Sequence, residues 1–372
     1  MDYDVVVIGA GPAGLVAGEY AARRGAKVLV VDRKREIGAP VRCAEVLGFP
    51  SFELLGLDPS SDFVTNKVNK AVLFSPKGRK LEIYEPYQEF SLYILDRSSF
   101  EKALAVRLIK QGGELLLDTA CLGPIRKDGK IAGLLTTQGE ITSKIIIGAD
   151  GVESKVGRWC GLSKRLKLNE IFSCAQHTLV DMEGVDDHFE IHLGSKFAPF
   201  GYAWMFPKGN CEANLGLEVL ASTKQRPVEL LAKFKNQRAP DTHSVRLVTG
   251  CIPSALPLPK TVKDNIMLLG DSARQTNAAS GGGIANAIIA GKIAGEVAGE
   301  VVVENQPLSK LHDYERLWRN NLEKILIKKF KQRRFLEDDA KCERMFSFLR
   351  LVAFLKPIIP KSLIVRWLTP DF

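Results

Sequence analysis

Residues 5–8, Val5-Val6-Val7-Ile8, form an unbroken β-branched run, and Gly9-Ala10-Gly11-Pro12-Ala13-Gly14 follows at once. Continuous apolar runs of this kind read as strands buried on both faces. Residues 12–24 are Ala-rich and predict a helix, which Gly25 ends. Residues 27–31 are a second apolar run closed by Asp32, 18 residues after Gly14. The pattern is strand, G-x-G-x-x-G turn, helix, strand, acid, and very few folds accommodate it. Gly9 permits the tight turn, Gly11 lets a pyrophosphate approach the backbone, and Gly14 lets helix and strand pack closely. The helix N-terminus faces the phosphates, and Asp32 is placed to accept hydrogen bonds from a ribose. A βαβ unit in a parallel sheet that binds a dinucleotide is the expectation.

At 372 residues there is room for two domains, or for one large domain with an insertion. The segment 36–95 is mixed, with several Pro and Gly. Residues 96–111 predict a helix: Asp96 can cap it, Phe100, Leu104 and Leu108 keep helical spacing, and Gly112-Gly113 stops it. Residues 114–120 read as a strand, 123–143 as a hairpin region, and 145–147 as a buried strand running into Gly148-Ala149-Asp150-Gly151. From about 166 to 254 the character changes. Residues 190–193, 202–206 and 213–217 predict strands of a second sheet. Residues 266–269 form a last buried strand before Gly270-Asp271, and 284–303 an Ala-rich helix. The 49 residues 308–356 lack Gly and Pro and predict further helices.

Seven cysteines stand in no CxxC spacing, so neither a zinc site nor a disulfide framework is expected. The five histidines show no ligand spacing, and no metal is assigned. No secretory signal or spanning segment is visible, and a cytosolic location is expected. The net charge is +9, of which +7 falls in residues 316–334. An anionic partner (membrane surface, acidic protein or nucleic acid) competes there with a plain solvated helix face.

Two later motifs bear on which dinucleotide is bound. Ile147-Gly148-Ala149-Asp150-Gly151, with Ser154 and Arg158 after it, resembles the Asp-Gly motif of FAD-dependent monooxygenase-type flavoproteins. Ile266-Met267-Leu268-Leu269-Gly270-Asp271 resembles their Gly-Asp motif, whose Asp binds the ribityl chain of FAD. Ser280-Gly281-Gly282-Gly283-Ile284 then opens a helix, whose N-terminus carries roughly half a positive charge. That end suits the negative pyrimidine edge of a reduced flavin.

Three further features resemble the geranylgeranyl reductase family, whose fold is of the para-hydroxybenzoate hydroxylase type. Ala39-Pro40-Val41-Arg42-Cys43-Ala44-Glu45 is similar to its Pro-x-x-Cys segment beside the flavin. Tyr202-Ala203-Trp204-Met205-Phe206-Pro207-Lys208-Gly209 is similar to its Tyr-x-Trp-x-Phe-Pro motif lining the substrate cavity, and Gly281-Gly282-Gly283-Ile284 to its glycine run. One departure is Ala278 after Asn277, where the family commonly has proline.

The resemblance implies an α/β protein: a Rossmann-type FAD-binding domain (1–70, 95–165 and 255–300), an inserted mixed β-sheet substrate domain (71–94 and 166–254) and a C-terminal helical region (301–372). It implies FAD contacts at Gly9, Gly11, Ala13, Gly14, Asp32, Arg33, Cys43, Ala44, Val46, Arg97, Cys121, Asp150, Asp271, Gly283 and Ile284. Arg97 is expected at the phosphates and Cys121 at the adenine. Tyr202, Trp204 and Phe206 are expected to contact substrate, and Cys43 is a candidate proton donor or else a packing thiol. The implied activity is reduction of geranylgeranyl or polyprenyl double bonds of archaeal-type ether lipids or their precursors. A hydroxylase or halogenase on the same fold is one rival, although a halogenase's Trp-x-Trp-x-Ile-Pro is not matched here. An electron-transfer flavoprotein at a membrane is the other. Implied partners are the polyprenyl lipid, reduced ferredoxin or NADPH as electron donor, and a membrane surface met peripherally through the basic and aromatic C-terminal third. No nucleic acid is assigned.

Overall fold

The computed structural model describes residues 2–84 and 91–354. The chain forms two compact units. The first comprises Met1–Val41, Arg97–Leu166 and Ala255–Ile327. Its sheet runs in the spatial order Val262–Lys263, Ile266–Leu268, Gly139–Gly148, Asp2–Ile8, Val28–Val31, Glu114–Leu116. All pairings are parallel except the first, and the hairpin Cys121–Lys127/Lys130–Thr136 extends from Gly139–Gly148. Val5, Val6 and Val7 are fully buried, as the continuous apolar run requires of a strand covered on both faces. Each such side chain contributes roughly 1.5–3 kcal/mol of burial.

The fingerprint helix Pro12–Arg23 is buried from Pro12 to Ala22. It is held between Arg97–Lys110 and the 20-residue helix Ile284–Val303. The contact with the latter is backbone on backbone. A Cβ on Gly291 would fall 2.6 Å from the Ala13 carbonyl oxygen, and one on Gly295 2.3 Å from that of Ala17. Helix His312–Trp318 is pinned to the same unit. Tyr314 Oη donates to the Leu268 carbonyl at 2.7 Å and accepts from Gln275 Nε2 at 3.1 Å, while Trp318 Nε1 donates to Thr261 Oγ1 at 2.8 Å.

The second unit comprises Arg42–Asp96, Lys167–Ser254 and the described residues from Lys328. Its seven-stranded sheet has the order His243–Pro253, Ile171–Val180, Glu212–Leu220, Tyr202–Gly209, Phe189–Leu193, Lys70–Phe74, Lys80–Tyr84. It is mixed, because Phe189–Leu193 runs parallel to Lys70–Phe74 and all other neighbours are antiparallel. Helix Pro227–Arg238 covers one face, packing Leu230, Leu231 and Phe234 on Ala175, Ala203, Met205, Leu215 and Leu217. A three-stranded sheet of Val46–Gly48, Leu92–Leu95 and Val64–Val68 completes the unit. Helix Asp339–Phe354 joins it through buried Phe346 against Leu81 and through the Arg79–Glu343 ion pair.

Two expectations shift. Residues 42–70, placed with the fingerprint by sequence, pack with the second unit, because Val46–Gly48 and Val64–Val68 both pair with Leu92–Leu95. The strand expected over 114–120 stops at Leu116, since Asp118 takes a left-handed φ of 50° that no strand tolerates.

Candidate cofactor and substrate sites

In the first unit the strand Asp2–Ile8 ends at Gly9, whose φ is +106°. A Cβ there would lie 2.3 Å from the Ala149 carbonyl oxygen, and one on Gly14 only 1.8 Å from that of Gly9. A Cβ on Gly11 would meet nothing within 4 Å. The first and third glycines are thus demanded by the chain itself, and the second opens on space. Asp32 is buried, with Oδ2 accepting from the Ala10 amide at 2.7 Å and Oδ1 from the Lys34 amide at 2.8 Å. Each oxygen keeps a further lone pair. Arg33 beside it is exposed.

Cys121 opens its strand close to two carboxylates. Its thiol is pushed up to about 12 by burial first and then by the Asp150 charge, with Asp32 adding. Asp150 Oδ2 accepts from the amides of Lys155 at 2.6 Å and Val156 at 3.1 Å. Its Oδ1 is buried and has no hydrogen-bond partner among the described residues. Burial raises this carboxyl against the hydrogen bonds from Ser154 and the two amides. A buried, unmatched oxygen of this kind is costly unless a ligand donates to it.

Asp271 lies in the short turn Gly270–Ala273 after the last buried strand, with Gly270 at φ +63°. Burial raises its carboxyl, and a hydrogen bond from Thr276 and the charge of Arg97 oppose that rise. Arg97 itself donates Nε and a terminal nitrogen to Glu101 Oε1 at 2.8 and 2.6 Å. The expected Arg97–phosphate contact is therefore accompanied by an internal ion pair. A Cβ on Gly283 would sit 3.6 Å from Asp271 Oδ1, and Ile284 begins the 20-residue helix with no side-chain cap on its amides. The buried carboxylate of Asp32, the half-buried ones of Asp150 and Asp271, an open glycine and two uncapped helix N-termini fit a ligand with hydroxyls, phosphates and an electron-rich ring edge.

In the second unit, Cys43, Ala44 and Val46 lie on and just before strand Val46–Gly48. Cys43 is half-buried, and its Sγ accepts from the Glu45 amide at 3.2 Å. Tyr202, Trp204 and Phe206 alternate on their strand and share the sheet face opposite helix Pro227–Arg238. Trp204 stacks on Phe206 at 6.1 Å and tilts against Tyr202 at 5.6 Å. Its indole lies across Gly216, where a Cβ would come within 2.4 Å of the ring. Trp204 Nε1 donates to Gln176 Oε1 at 3.0 Å, and Gln176 Nε2 donates to the Cys43 carbonyl at 3.0 Å. Asn214 Nδ2 reaches Glu45 Oε2 at 2.6 Å, and Lys208 Nζ reaches the same oxygen at 2.7 Å. The face thus ties the Cys43 segment to the aromatic strand.

Sequence reasoning gave no role to Glu45 and Lys208, although both stand inside its motifs, and did not single out Gln176, Asn214, Gly216 or Glu218. Polar residues and a lone glycine within otherwise apolar strand runs were the available signal. Among the described residues, no three His, Cys, Asp or Glu side chains are arranged to hold a metal ion. No described helix is long and apolar enough to cross a membrane. Members of the basic 316–334 run are engaged internally, among them Arg316 with Asp313, Arg319 with Glu315, Glu323 and the Pro259 carbonyl, and Arg333 with the Ser254 carbonyl.

Residues 2–182 match the FAD binding domain family. The fold aligns with a geranylgeranyl bacteriochlorophyll reductase-like protein from Thermoplasma acidophilum at a TM-score of 0.87 and 31% identity, covering 92% of this chain and 90% of that one. With its carboxylates at Asp32, Asp150 and Asp271 and its open fingerprint, the chain is an FAD-dependent oxidoreductase. Residues 170–252 match the geranylgeranyl reductase catalytic domain family. Digeranylgeranylglycerophospholipid reductases of Methanothrix thermoacetophila and Methanocaldococcus jannaschii are similar at 39% and 37% identity. The alignments cover 91% and 97% of this chain, and 89% and 95% of those proteins. The chain belongs to the geranylgeranyl reductase family.

Proposed function

We propose that this protein saturates the geranylgeranyl or related polyprenyl chains of archaeal-type ether lipids or their precursors. The observation that carries the reading is identity of 37–39% over nearly the whole chain to digeranylgeranylglycerophospholipid reductases, joined to a buried aromatic face in the unit that holds the catalytic-domain match. Bound FAD supplies a hydride-level reductant. Gly9, Gly11, Ala13, Gly14, Asp32, Arg33, Arg97, Cys121, Asp150, Asp271, Gly283 and Ile284 are assigned to holding it, together with Cys43, Ala44 and Val46. An isolated alkene carries no carbonyl to polarise, so the protein must act by positioning the bond and excluding water. Tyr202, Trp204 and Phe206 are assigned to that surface.

The electron donor is proposed to be a reduced acidic protein such as ferredoxin, because the sequence holds one dinucleotide fingerprint and FAD uses it. The chain is proposed to meet its lipid at a membrane surface. Of the basic run 316–334 and the apolar segments 346–349, 352–355 and 364–368 that motivate this, Phe346 and Leu349 are core residues packed with Leu81, Phe348 is exposed, and 355–372 lie outside the described residues. One experiment tests substrate and donor together. Holoenzyme is incubated with the unsaturated diether phospholipid and either reduced ferredoxin, NADPH or dithionite, and the lipid is weighed by mass spectrometry. Gain of two hydrogens per bond with ferredoxin and dithionite is expected. An unchanged lipid beside a fully reduced flavin sinks the substrate assignment, and rapid flavin reduction by NADPH alone sinks the donor assignment.

Trp204→Ala is expected to lower turnover at least about tenfold, or to change the number of bonds saturated, with FAD content kept. Loss of FAD or of folded protein in this variant instead identifies Trp204 as core packing.

A further inference from the structure

The strand Glu212–Leu220 sends Ala213, Leu215, Leu217 and Val219 into the core beneath helix Pro227–Arg238. Asn214, Gly216 and Glu218 therefore project to the opposite face, the one that carries Trp204 and Tyr202. Asn214 is bound to Glu45, and Gly216 makes room for the Trp204 indole. Glu218 has no such structural task. It is 1% exposed, and its Oε1 has no hydrogen-bond partner among the described residues. Cys174 stands directly opposite it on the neighbouring strand. A buried carboxyl oxygen without a partner, beside Tyr202 at the end of the aromatic row, is expensive, and leucine would pack there without that cost.

We propose that Glu218 is the proton donor for the alkene reduction. The proposal rests on the reading that the polyprenyl chain lies on this face. In the step, the carboxyl O–H bond breaks and the proton takes the alkene π pair to form one C–H bond. The hydride from reduced FAD forms the other on the neighbouring carbon. The alkene gains two electrons, the flavin is oxidised, and Glu218 is left as a carboxylate that recovers its proton from solvent before the next turnover. A trisubstituted prenyl alkene accepts the proton on its less substituted carbon, which fixes where the hydride must arrive.

Burial discriminates among the acids of this face. It holds Glu218 well above the ordinary carboxylate range, which favours the protonated form. The same desolvation raises Cys174, and it raises Tyr202, where the charges of Glu218, Cys174 and Cys43 add. A carboxyl is thereby moved toward the working pH, which is where a general acid is most effective, while the thiol and phenol are moved away from it. Cys174 and Tyr202 are the titratable groups that interact with Glu218 from the adjoining strands, with Cys43 beyond Tyr202 and Cys251 beyond Cys174.

Two readouts on holoenzyme test the assignment. Difference infrared spectroscopy of wild type against Glu218→Gln is expected to show a protonated carboxyl band at neutral pH that the variant lacks. Lipid turnover with dithionite is expected to fall about 100-fold or more in Glu218→Gln, with FAD content unchanged, and Glu218→Asp is expected to recover part of it. Absence of the band in wild type overturns the proposal, as does Glu218→Gln turnover within about twofold of wild type. A wild-type holoenzyme that leaves the lipid untouched overturns the substrate reading itself, and this proposal with it. Should Glu218→Gln lose FAD, the carboxyl band is compared between wild-type and Glu218→Asp holoenzyme: a band at about pH 7 that shifts in the variant supports the proposal, and one that does not move overturns it.

Discussion

Alanine at position 14 leaves the protein without flavin. Its methyl group would stand 1.8 Å from the Gly9 carbonyl oxygen and 3.2 Å from Val7, both parts of the buried first strand and its turn. Neither can retreat, because Val7 is fully buried and Gly9 is itself pressed on Ala149. The helix Pro12–Arg23 must move off the sheet, at a cost of about 1–3 kcal/mol by analogy with overpacked cores. Purified Gly14→Ala is expected to be colourless, or to hold under about a tenth of the wild-type FAD, and to be poorly soluble. Gly11→Ala separates folding from binding. Its added carbon meets no atom of the chain, so solubility and circular dichroism should match wild type. It occupies the space a pyrophosphate would use, so FAD affinity should fall at least tenfold, about 1.4 kcal/mol. Full FAD content in Gly11→Ala, measured by absorbance after gel filtration, would show that this space is not the phosphate site.

The second large effect is expected at Lys208. Its ammonium and the Glu45 carboxylate are both largely buried at 2.7 Å, and the same Lys208 Nζ donates to the Leu95 carbonyl at 3.2 Å. Glu45 sits at a left-handed φ of 70°, with its carbonyl accepting from the Leu95 amide at 2.8 Å. Lys208→Met removes the cation and leaves a buried carboxylate short of charge, which costs about 3–5 kcal/mol. The double variant Lys208→Met/Glu45→Gln should recover most of that loss, because the uncompensated charge is gone. Cys43 shares the fate of Glu45, because it lies two residues before it and its sulfur accepts from the Glu45 amide. Alkylation of Cys43 is therefore expected to quicken in Lys208→Met and to slow again in the double variant. A denaturation midpoint that does not move in Lys208→Met, with unchanged Cys43 reactivity, would reduce the pair to an incidental contact.

The cofactor end was largely legible because its demands are backbone demands. Tight turns, close approaches and helix starts leave glycine and Asp at fixed spacings, and Gly9, Gly14, Asp32 and Gly270-Asp271 stand where those spacings place them. The helix over 284–303 was readable to the residue, since three glycines precede it and an unbroken Ala-rich run fills it. Tyr202 and Trp204 were readable as one face from alternation alone. The hydrogen-bonded set around Cys43 was not. Gln176, Lys208 and Asn214 lie far from Glu45 in sequence and meet it only through strand pairing, and pairing leaves no local trace. The division at residue 70 failed for the same reason: short strands announce themselves as strands but not as whose neighbours they are.

Gly291, Gly295 and Gly299 meet Ala13, Ala17 and Ala21 in step, so helices Pro12–Arg23 and Ile284–Val303 run in the same direction. The partner of Pro12 in that register is residue 290, six residues into the second helix, so its start projects roughly 9 Å beyond the first. The protein therefore carries a calliper: two positive poles pointing the same way, at a stagger fixed by main-chain atoms. Side-chain substitutions cannot reset that interval, and a residue inserted into either helix between its start and the glycine contacts would. Lineages of this fold should accordingly vary freely in the sheet that handles substrate while keeping the length between Gly283 and Gly291 unchanged.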